Sequence, residues 1–207
     1  MPRRVGGAPA APRPRPGRAS AATREHAACY GQCMDAAATI RTAIAADLDA
    51  INGIYNHEVL HGVATWDEQP WGAEARLEWF REREELGDPV LVAQSQVSGR
   101  DVAVVGFGYL SPYRARSGWR FTAEDTLYLA PEAQRQGIGT ALLGALVEAA
   151  RARGLHALVA VIEAGNVGSI ALHARFGFVE VGRKREVGFK FSRWLDLVEM
   201  ELLLPPS

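Results

Sequence analysis

The chain has 207 residues, 48% hydrophobic and 23% charged, with a formal net charge of -1. That length suits one domain with an appendage, and the near-neutral balance excludes the strongly basic surface of a nucleic-acid binder. No apolar run in the sequence approaches the roughly 20 residues that a membrane-spanning helix needs, so no membrane partner is expected.

The average conceals two unlike parts. Six arginines and two acids fall in residues 1–38, a balance of +4, which leaves −5 for residues 39–207. Five of the 11 prolines and both cysteines also lie in the first part. Residues 1–28 carry Pro, Ala, Arg and Gly with almost no large apolar side chains, too few to offset the entropy of ordering them. Residues 1–38 are therefore expected to be a disordered extension and residues 39–207 the folded domain. Arg3-Arg4 has no apolar stretch behind it, which argues against a twin-arginine export signal. The Arg-rich, acid-poor composition leaves two readings open, a transit peptide and a dispensable extension. Met34 stands just before the ordered pattern as an alternative start of translation. Cys29 and Cys33, beside His26, lack a second ligand pair at metal-site spacing, so no metal is expected. The absence of a disulfide framework suits a reducing cytoplasm.

In the folded part, residues 39–44 predict a first strand. Asp47 then opens a helix with Leu48, Ile51, Ile54, Tyr55 and Val59 on one face. Pro70 and Gly72 precede a second helix over 73–86, with Leu77 and Phe80 inward. Gly87-Asp88-Pro89 is a turn, and residues 90–94 and 102–110 predict two strands joined by a hairpin turn at Ser98-Gly99-Arg100-Asp101. Residues 121–129 predict another strand. Residues 138–153, apolar at 138, 142, 143, 146, 147 and 150, form the most amphipathic helix of the chain, closed by Gly154. The apolar run 157–162 predicts a buried strand, 166–175 a short helix ending at Gly177, and 178–182 and 194–203 two closing strands. Strands alternating with helices after a hairpin imply a mixed α/β sheet.

Chemistry concentrates in Gln134-Arg135-Gln136-Gly137-Ile138-Gly139-Thr140. Two glycines one residue apart, between a strand and a helix start, leave backbone N–H groups uncovered where the helix dipole favours anions. No Gly-Lys-Ser/Thr follows, so this is not a Walker loop, and Leu142 stands where a dinucleotide fingerprint has its third glycine. Taken alone, the segment reads as a phosphate cradle or as a tight strand-to-helix turn.

The Gln-x-x-Gly-x-Gly pattern after a strand resembles the acetyl-CoA pyrophosphate motif of the GNAT superfamily of N-acetyltransferases. Ile54 through Val59, Thr122 through Leu129, Asn166 through His173, and Gly188 through Phe191 with Trp194-Leu195-Asp196 resemble one subgroup, the phosphinothricin and methionine sulfone/sulfoximine N-acetyltransferases. The resemblance covers about residues 39–204. It implies a single α/β domain with a mixed, mostly antiparallel sheet, splayed central strands and flanking helices. It also implies acetyl-CoA as co-substrate, a small-molecule amine as acceptor, no metal, and a homodimer. Herbicide or antibiotic resistance is one setting for such an activity.

Carried over by residue, the resemblance places the pantetheine arm along Leu127, Tyr128 and Leu129. The pyrophosphate falls on the backbone of Arg135, Gln136, Gly137, Ile138, Gly139 and Thr140. Asn166 is implied to bond the pantetheine arm and also fits a helix N-cap. Glu124 is implied as the general base that takes the proton of the amine nucleophile. His173 is either a second proton-handling group or a histidine satisfied at a helix–sheet contact. Ala123 and Glu124 would face the acceptor. Arg114 and Arg116 are either acceptor-binding guanidiniums or solvated loop residues. Trp66, in the loop between the first two helices, would form an apolar pocket wall. Phe178 stands where many such enzymes carry a Tyr acid, which leaves Tyr128 as a substitute proton donor. Lys190, Trp194 and Asp196 are expected to be structural or at a subunit contact. Other acceptors, a different small amine or a protein N-terminus, and a non-catalytic acyl-CoA-binding module are the competing readings.

Overall fold

A computed structural model of the chain describes residues 38–95 and 102–205. The expected extension up to residue 37, with both cysteines, Met34 and the hairpin turn at 98–101, lies outside the described residues. Ala38, which the extension was expected to include, is buried in a small cluster with Ala93, Val105 and Ile138.

Apolar spacing builds the helices. α1 (Leu48–His61) buries Leu48, Ile51, Tyr55 and Val59, spaced three and four apart as one helical face requires. α2 (Ala73–Leu86) runs between Gly72 and Gly87, the latter at φ 66 in the left-handed conformation that closes a helix. It buries Phe80 but also Arg76 and Arg83, two charges that residue type alone assigns to solvent. α3 (Ile138–Ala152) buries seven residues, and α4 (Val167–Arg175) is shorter and starts at its cap Asn166. Each fully buried Leu of α3, such as Leu142, Leu143 and Leu146, contributes about 1.5–3 kcal/mol.

Among the described residues, seven strands form one sheet: β1 (Thr39–Thr42), β2 (Val90–Ser95), β3 (Ala103–Pro112), β4 (Thr122–Leu129), β5 (Ala157–Glu163), β6 (Val179–Lys190) and β7 (Arg193–Leu203). Their spatial order is β1-β2-β3-β4-β5-β7-β6, with β4–β5 the one parallel pair. α1 and α2 cover Val90, Val92 and Phe107 on one face. α3 covers Leu110, Ala123 and Leu158 on the other. The mixed, mostly antiparallel α/β sheet flanked by helices is as expected.

The central pair splays. β4 stays paired with β3 along its whole length, from Pro112↔Ala123 to Gly106↔Leu129. Its ladder with β5 runs only from Thr122↔Ala157 to Asp125↔Ala160, although both strands continue. On its β5 side, β4 therefore offers unpaired backbone N–H and C=O groups beyond Asp125.

Two boundaries differ from expectation. β1 stops at Thr42 because the Ile44 N–H donates to Asp47 Oδ2 at 2.8 Å, turning the chain into a short 3-10 turn, Ala45–Asp47. β6 continues to Lys190 rather than stopping near residue 182. Most of its side chains are exposed, and its register to β7 shifts twice, so no apolar alternation marks its length.

Candidate active site

The segment joining β4 to α3 follows from its torsions. Arg135 sits at φ 60 and Gly137 at φ 79, both left-handed. Gly137 is the N-cap of α3 and brings no side chain to cover the helix end. The N–H groups of Ile138, Gly139 and Thr140 thus lack the intrahelical acceptors of later residues and face outward at the positive pole of the helix. The Ile138 side chain is buried in the core, so this residue offers only its backbone. Gln136 folds back, its Nε2 donating to the Glu132 carbonyl at 2.6 Å.

From this helix start a groove of about 860 Å³ runs along the open edge of β4. Leu127, Tyr128, Leu129, Arg135, Gly137, Gly139, Thr140 and Asn166 all line it, so eight of the ten residues expected to hold acetyl-CoA converge there. Asn166 caps α4, its Oδ1 accepting from the Ser169 N–H at 3.1 Å. The cap reading is thus observed, and the same side chain faces the groove. The donors at the helix start and the unpaired strand edge fit a pyrophosphate and the amide-bearing arm behind it.

A second cavity, about 330 Å³, lies beyond the splay. Glu124, Trp66, Tyr55, Tyr109 and His173 line it, and Leu127, Tyr128, Asn166 and Ser169 line both it and the groove. Burial, then the charges of Asp125 and Glu199, raise the Glu124 carboxyl above its ordinary value. That shift brings a carboxylate closer to the working range of a general base.

His173 is buried with both ring nitrogens occupied. Nδ1 lies 2.8 Å from the Ser169 carbonyl and Nε2 lies 3.0 Å from Asp125 Oδ2. A carbonyl and a carboxylate both accept, so this arrangement favours the ring that donates from both nitrogens; Ser169 Oγ also lies 3.4 Å from Nδ1. Burial opposes that charge, but the hydrogen bond and charge of Asp125, with the Ser169 carbonyl, outweigh it and raise the pKa. The arrangement matches a histidine satisfied at a helix–sheet contact, on the wall of the cavity. The other Asp125 oxygen, Oδ1, is buried with no hydrogen-bond partner among the described residues.

Three residues expected at the acceptor site lie apart from the Glu124 cavity. Ala123 packs in the core with Leu143 and Leu146, because strand alternation turns it away from the Glu124 face. Arg114 and Arg116 line a separate surface recess with Ala115 and Trp119, and neither is on the wall of the Glu124 cavity. Arg114 stacks on Tyr113 at 4.8 Å, which holds it there.

Thr65 and Asp67 flank Trp66 in the loop expected to help close the pocket, whereas sequence reasoning gave no cavity role to Tyr55 or Arg76. Tyr55 Oη donates to Asp67 Oδ2 at 2.7 Å, which leaves Thr65 Oγ1 as donor to Tyr55 at 3.0 Å. Behind Tyr55, the buried Arg76 guanidinium lies 4.4–4.8 Å from the rings of Tyr55, Trp71 and Trp79. Its Nη2 has no hydrogen-bond partner among the described residues, and burial lowers its pKa. The adjacent acids Glu124-Asp125 carried one usable signal: a strand sends successive side chains to opposite faces, so two acids in a row put one inside.

The acetyltransferase (GNAT) family profile matches residues 52–178. An L-methionine sulfoximine/L-methionine sulfone acetyltransferase of Pseudomonas aeruginosa is 44% identical over 170 residues, 82% of this chain and 96% of that protein. A phosphinothricin acetyltransferase of Sinorhizobium meliloti, solved with acetyl-CoA, is 40% identical at a TM-score of 0.77, covering 83% of this chain and 94% of the other. A ribosomal-protein-alanine N-acetyltransferase of Brucella melitensis is 44% identical at a TM-score of 0.75, covering 80% and 99%.

Proposed function

The chain belongs to the acetyltransferase (GNAT) family and is an acyl-CoA-dependent N-acetyltransferase; from that premise we propose that it acetylates the α-amino group of a small amino-acid analogue. The acceptor class is that of methionine sulfone, methionine sulfoximine and phosphinothricin. The observation that carries this reading is the junction of the two spaces. The groove suited to acetyl-CoA meets, at Leu127, Tyr128, Asn166 and Ser169, a smaller cavity lined by Glu124.

Bound acetyl-CoA supplies an activated thioester. The residues of the chain do the rest. N–H groups of Ile138, Gly139 and Thr140 hold the pyrophosphate, and the open edge of β4 pairs with the pantetheine arm. Glu124 takes the ammonium proton of the acceptor, directly or through one water, before attack. Unpaired N–H groups of β4 are the donors available to the thioester oxygen. Transfer is direct, within a ternary complex, since no nucleophile elbow surrounds any Ser of the folded part. The leaving thiolate has an ordinary thiol pKa near 8.5 and needs little acid assistance. Tyr128, whose pKa burial holds well above its ordinary value, is one of three phenols on the cavity wall, with Tyr55 and Tyr109, and also lines the groove. Arg76 puts a positive charge behind the Tyr55 wall, which favours an acceptor bearing a carboxylate or an anionic head. His173 holds α4 to β4 through Asp125 and does not itself move the proton.

The likeness to the Brucella protein favours a second reading, a protein N-terminus as acceptor. A panel of methionine sulfone, methionine sulfoximine, phosphinothricin and an alanine-starting peptide, with acetyl-CoA and a thiol reagent, separates the two. The small-molecule reading expects turnover of at least one of the first three; turnover of the peptide alone contradicts it.

The setting proposed is the cytoplasm. Among the described residues no helix is long and apolar enough to cross a membrane. The chain is also proposed to pair with a second copy. Support comes from the edge strand β6 and its neighbour, which expose Val179, Val181, Val187, Phe189, Phe191 and Trp194. Sedimentation at two concentrations tests this.

A further inference from the structure

Lys190 is among the largest fully buried side chains, with 1% of its surface exposed. No carboxylate lies within 4.0 Å of its ammonium among the described residues, although Glu58, Asp67 and Glu68 are near enough to stabilise its charge. Burial lowers its pKa despite them. Its hydrogen-bond acceptors are backbone: Nζ donates to the Thr65 carbonyl at 2.8 Å and to the Glu58 carbonyl at 3.4 Å. An ammonium is costly to bury, so a site that spends it on two carbonyls is fixing the position of those carbonyls.

Those carbonyls belong to the end of α1 and to the loop that joins α1 to α2. The same loop supplies Ala64, Thr65 and Trp66 to the wall of the Glu124 cavity. Thr65 is buried and gripped from two sides: its carbonyl by Lys190, its hydroxyl by Tyr55. The next residue, Trp66, lies against β6. A Cβ built on Gly188 would fall 2.5 Å from Trp66 Cζ3, so the ring packs directly on the bare backbone there. Gly188 and Lys190 are two apart on β6 and so share the face turned toward the loop, while Phe189 between them is exposed beside Trp194.

We infer that the β6–β7 hairpin sets the shape of the acceptor cavity, with Lys190 as a positioning residue for Thr65 and Gly188 as the floor on which Trp66 rests. The inference rests on the proposed use of that cavity for the acceptor. It accounts for two residues on the edge strand β6 that line neither the Glu124 cavity nor the groove themselves, although Glu58, to which Lys190 donates, borders the groove. Acceptor selectivity then depends on residues more than 120 positions along the chain from the loop they hold, as the Lys190–Thr65 separation of 125 records.

Two variants test it in the full-length chain. Lys190→Met keeps the volume and removes the donors; Gly188→Ala keeps Lys190 and displaces Trp66. The inference expects K190M to speed hydrogen exchange of the amides in residues 62–72 and to leave residues 138–152 unchanged. It expects the acceptor KM to rise about tenfold, with the acetyl-CoA KM within about twofold of the original. G188A is expected to shift the ratio of kcat/KM between methionine sulfone and its S-ethyl homologue by about fivefold or more, since their head groups differ by one methylene against the displaced Trp66 wall. Unchanged exchange over 62–72 in K190M overturns the clamp. Acceptor and acetyl-CoA KM rising in equal proportion, or an unmoved acceptor ratio in G188A, overturns its role in selectivity. If the unaltered protein acetylates none of the three small acceptors, the proposed function fails, and the exchange data alone still decide for or against the clamp.

Discussion

The groove and the cavity are built from different materials. The groove draws its anion and amide contacts from backbone (a left-handed Gly137, the open start of α3, and the β5-facing edge of β4 left bare where the ladder ends at Asp125), with Arg135, Glu163, Arg175 and Arg193 among the side chains that border it. The cavity is side chain: Glu124, Tyr55, Thr65, Trp66 and the buried pair Asp125–His173. Backbone dipoles do not titrate, so the groove should bind the same co-substrate over a wide pH range. Buried charges do titrate, so acceptor chemistry and part of the stability should follow pH. The lesson is a division of labour: holding the shared co-substrate is separated from recognising and deprotonating the acceptor.

The largest effect should fall on the cavity side. Glu124→Gln keeps the shape and removes the base, and turnover should drop roughly 10²–10⁴-fold. The unaltered protein should show a rising limb in kcat/KM at a pH above the ordinary glutamate range, because burial and Asp125 raise Glu124; stopped assays across pH check it. Asp125→Ala comes next. It leaves the Nε2 of buried His173 without its acceptor, which should cost about 1–3 kcal/mol in urea unfolding.

On the groove side, Gly137→Val forces a β-branched residue to φ 79, a strain of roughly 1–2 kcal/mol, and the acetyl-CoA KM should rise about tenfold. A subtler separation comes from His173. Its folded pKa is raised, so its contribution to stability is complete below the unfolded value, about 6.5, and is lost as pH rises through the folded value. The stability gap between the unaltered protein and His173→Gln should therefore be widest in mild acid and narrow with rising pH, as denaturant midpoints will show. The smallest effect is expected from Arg114→Ala with Arg116→Ala. These lie in their own recess, and the acceptor KM should move by less than about twofold.

The two regions were not equally legible. α2 could be bounded at 73–86 because Gly72 and Gly87 punctuate it, and the helix start at 138 because Gly137 and Gly139 flank it ahead of an apolar stripe. Asn166 read as a cap from position alone. The resemblance, not the spacing, singled out Glu124. What stayed hidden were charges that the fold takes inside: Arg76 and Lys190 carry no local mark of burial, and their partners are remote in sequence. Ala123 and Glu124 were assigned to one site as neighbours, whereas the pleat sends them to opposite faces. β6 beyond residue 182 was missed because a mostly exposed edge strand has no alternation to read.

One experiment addresses the division of labour directly. Titration calorimetry of acetyl-CoA, with single-turnover transfer to the best acceptor, is run on Glu124→Gln and Gly137→Val side by side. Glu124→Gln should bind acetyl-CoA like the unaltered protein and fail to transfer. Gly137→Val should bind it weakly and, once saturated, transfer near the original rate. Intact transfer by Glu124→Gln, or a loss of acetyl-CoA affinity in it as large as in Gly137→Val, would contradict the account.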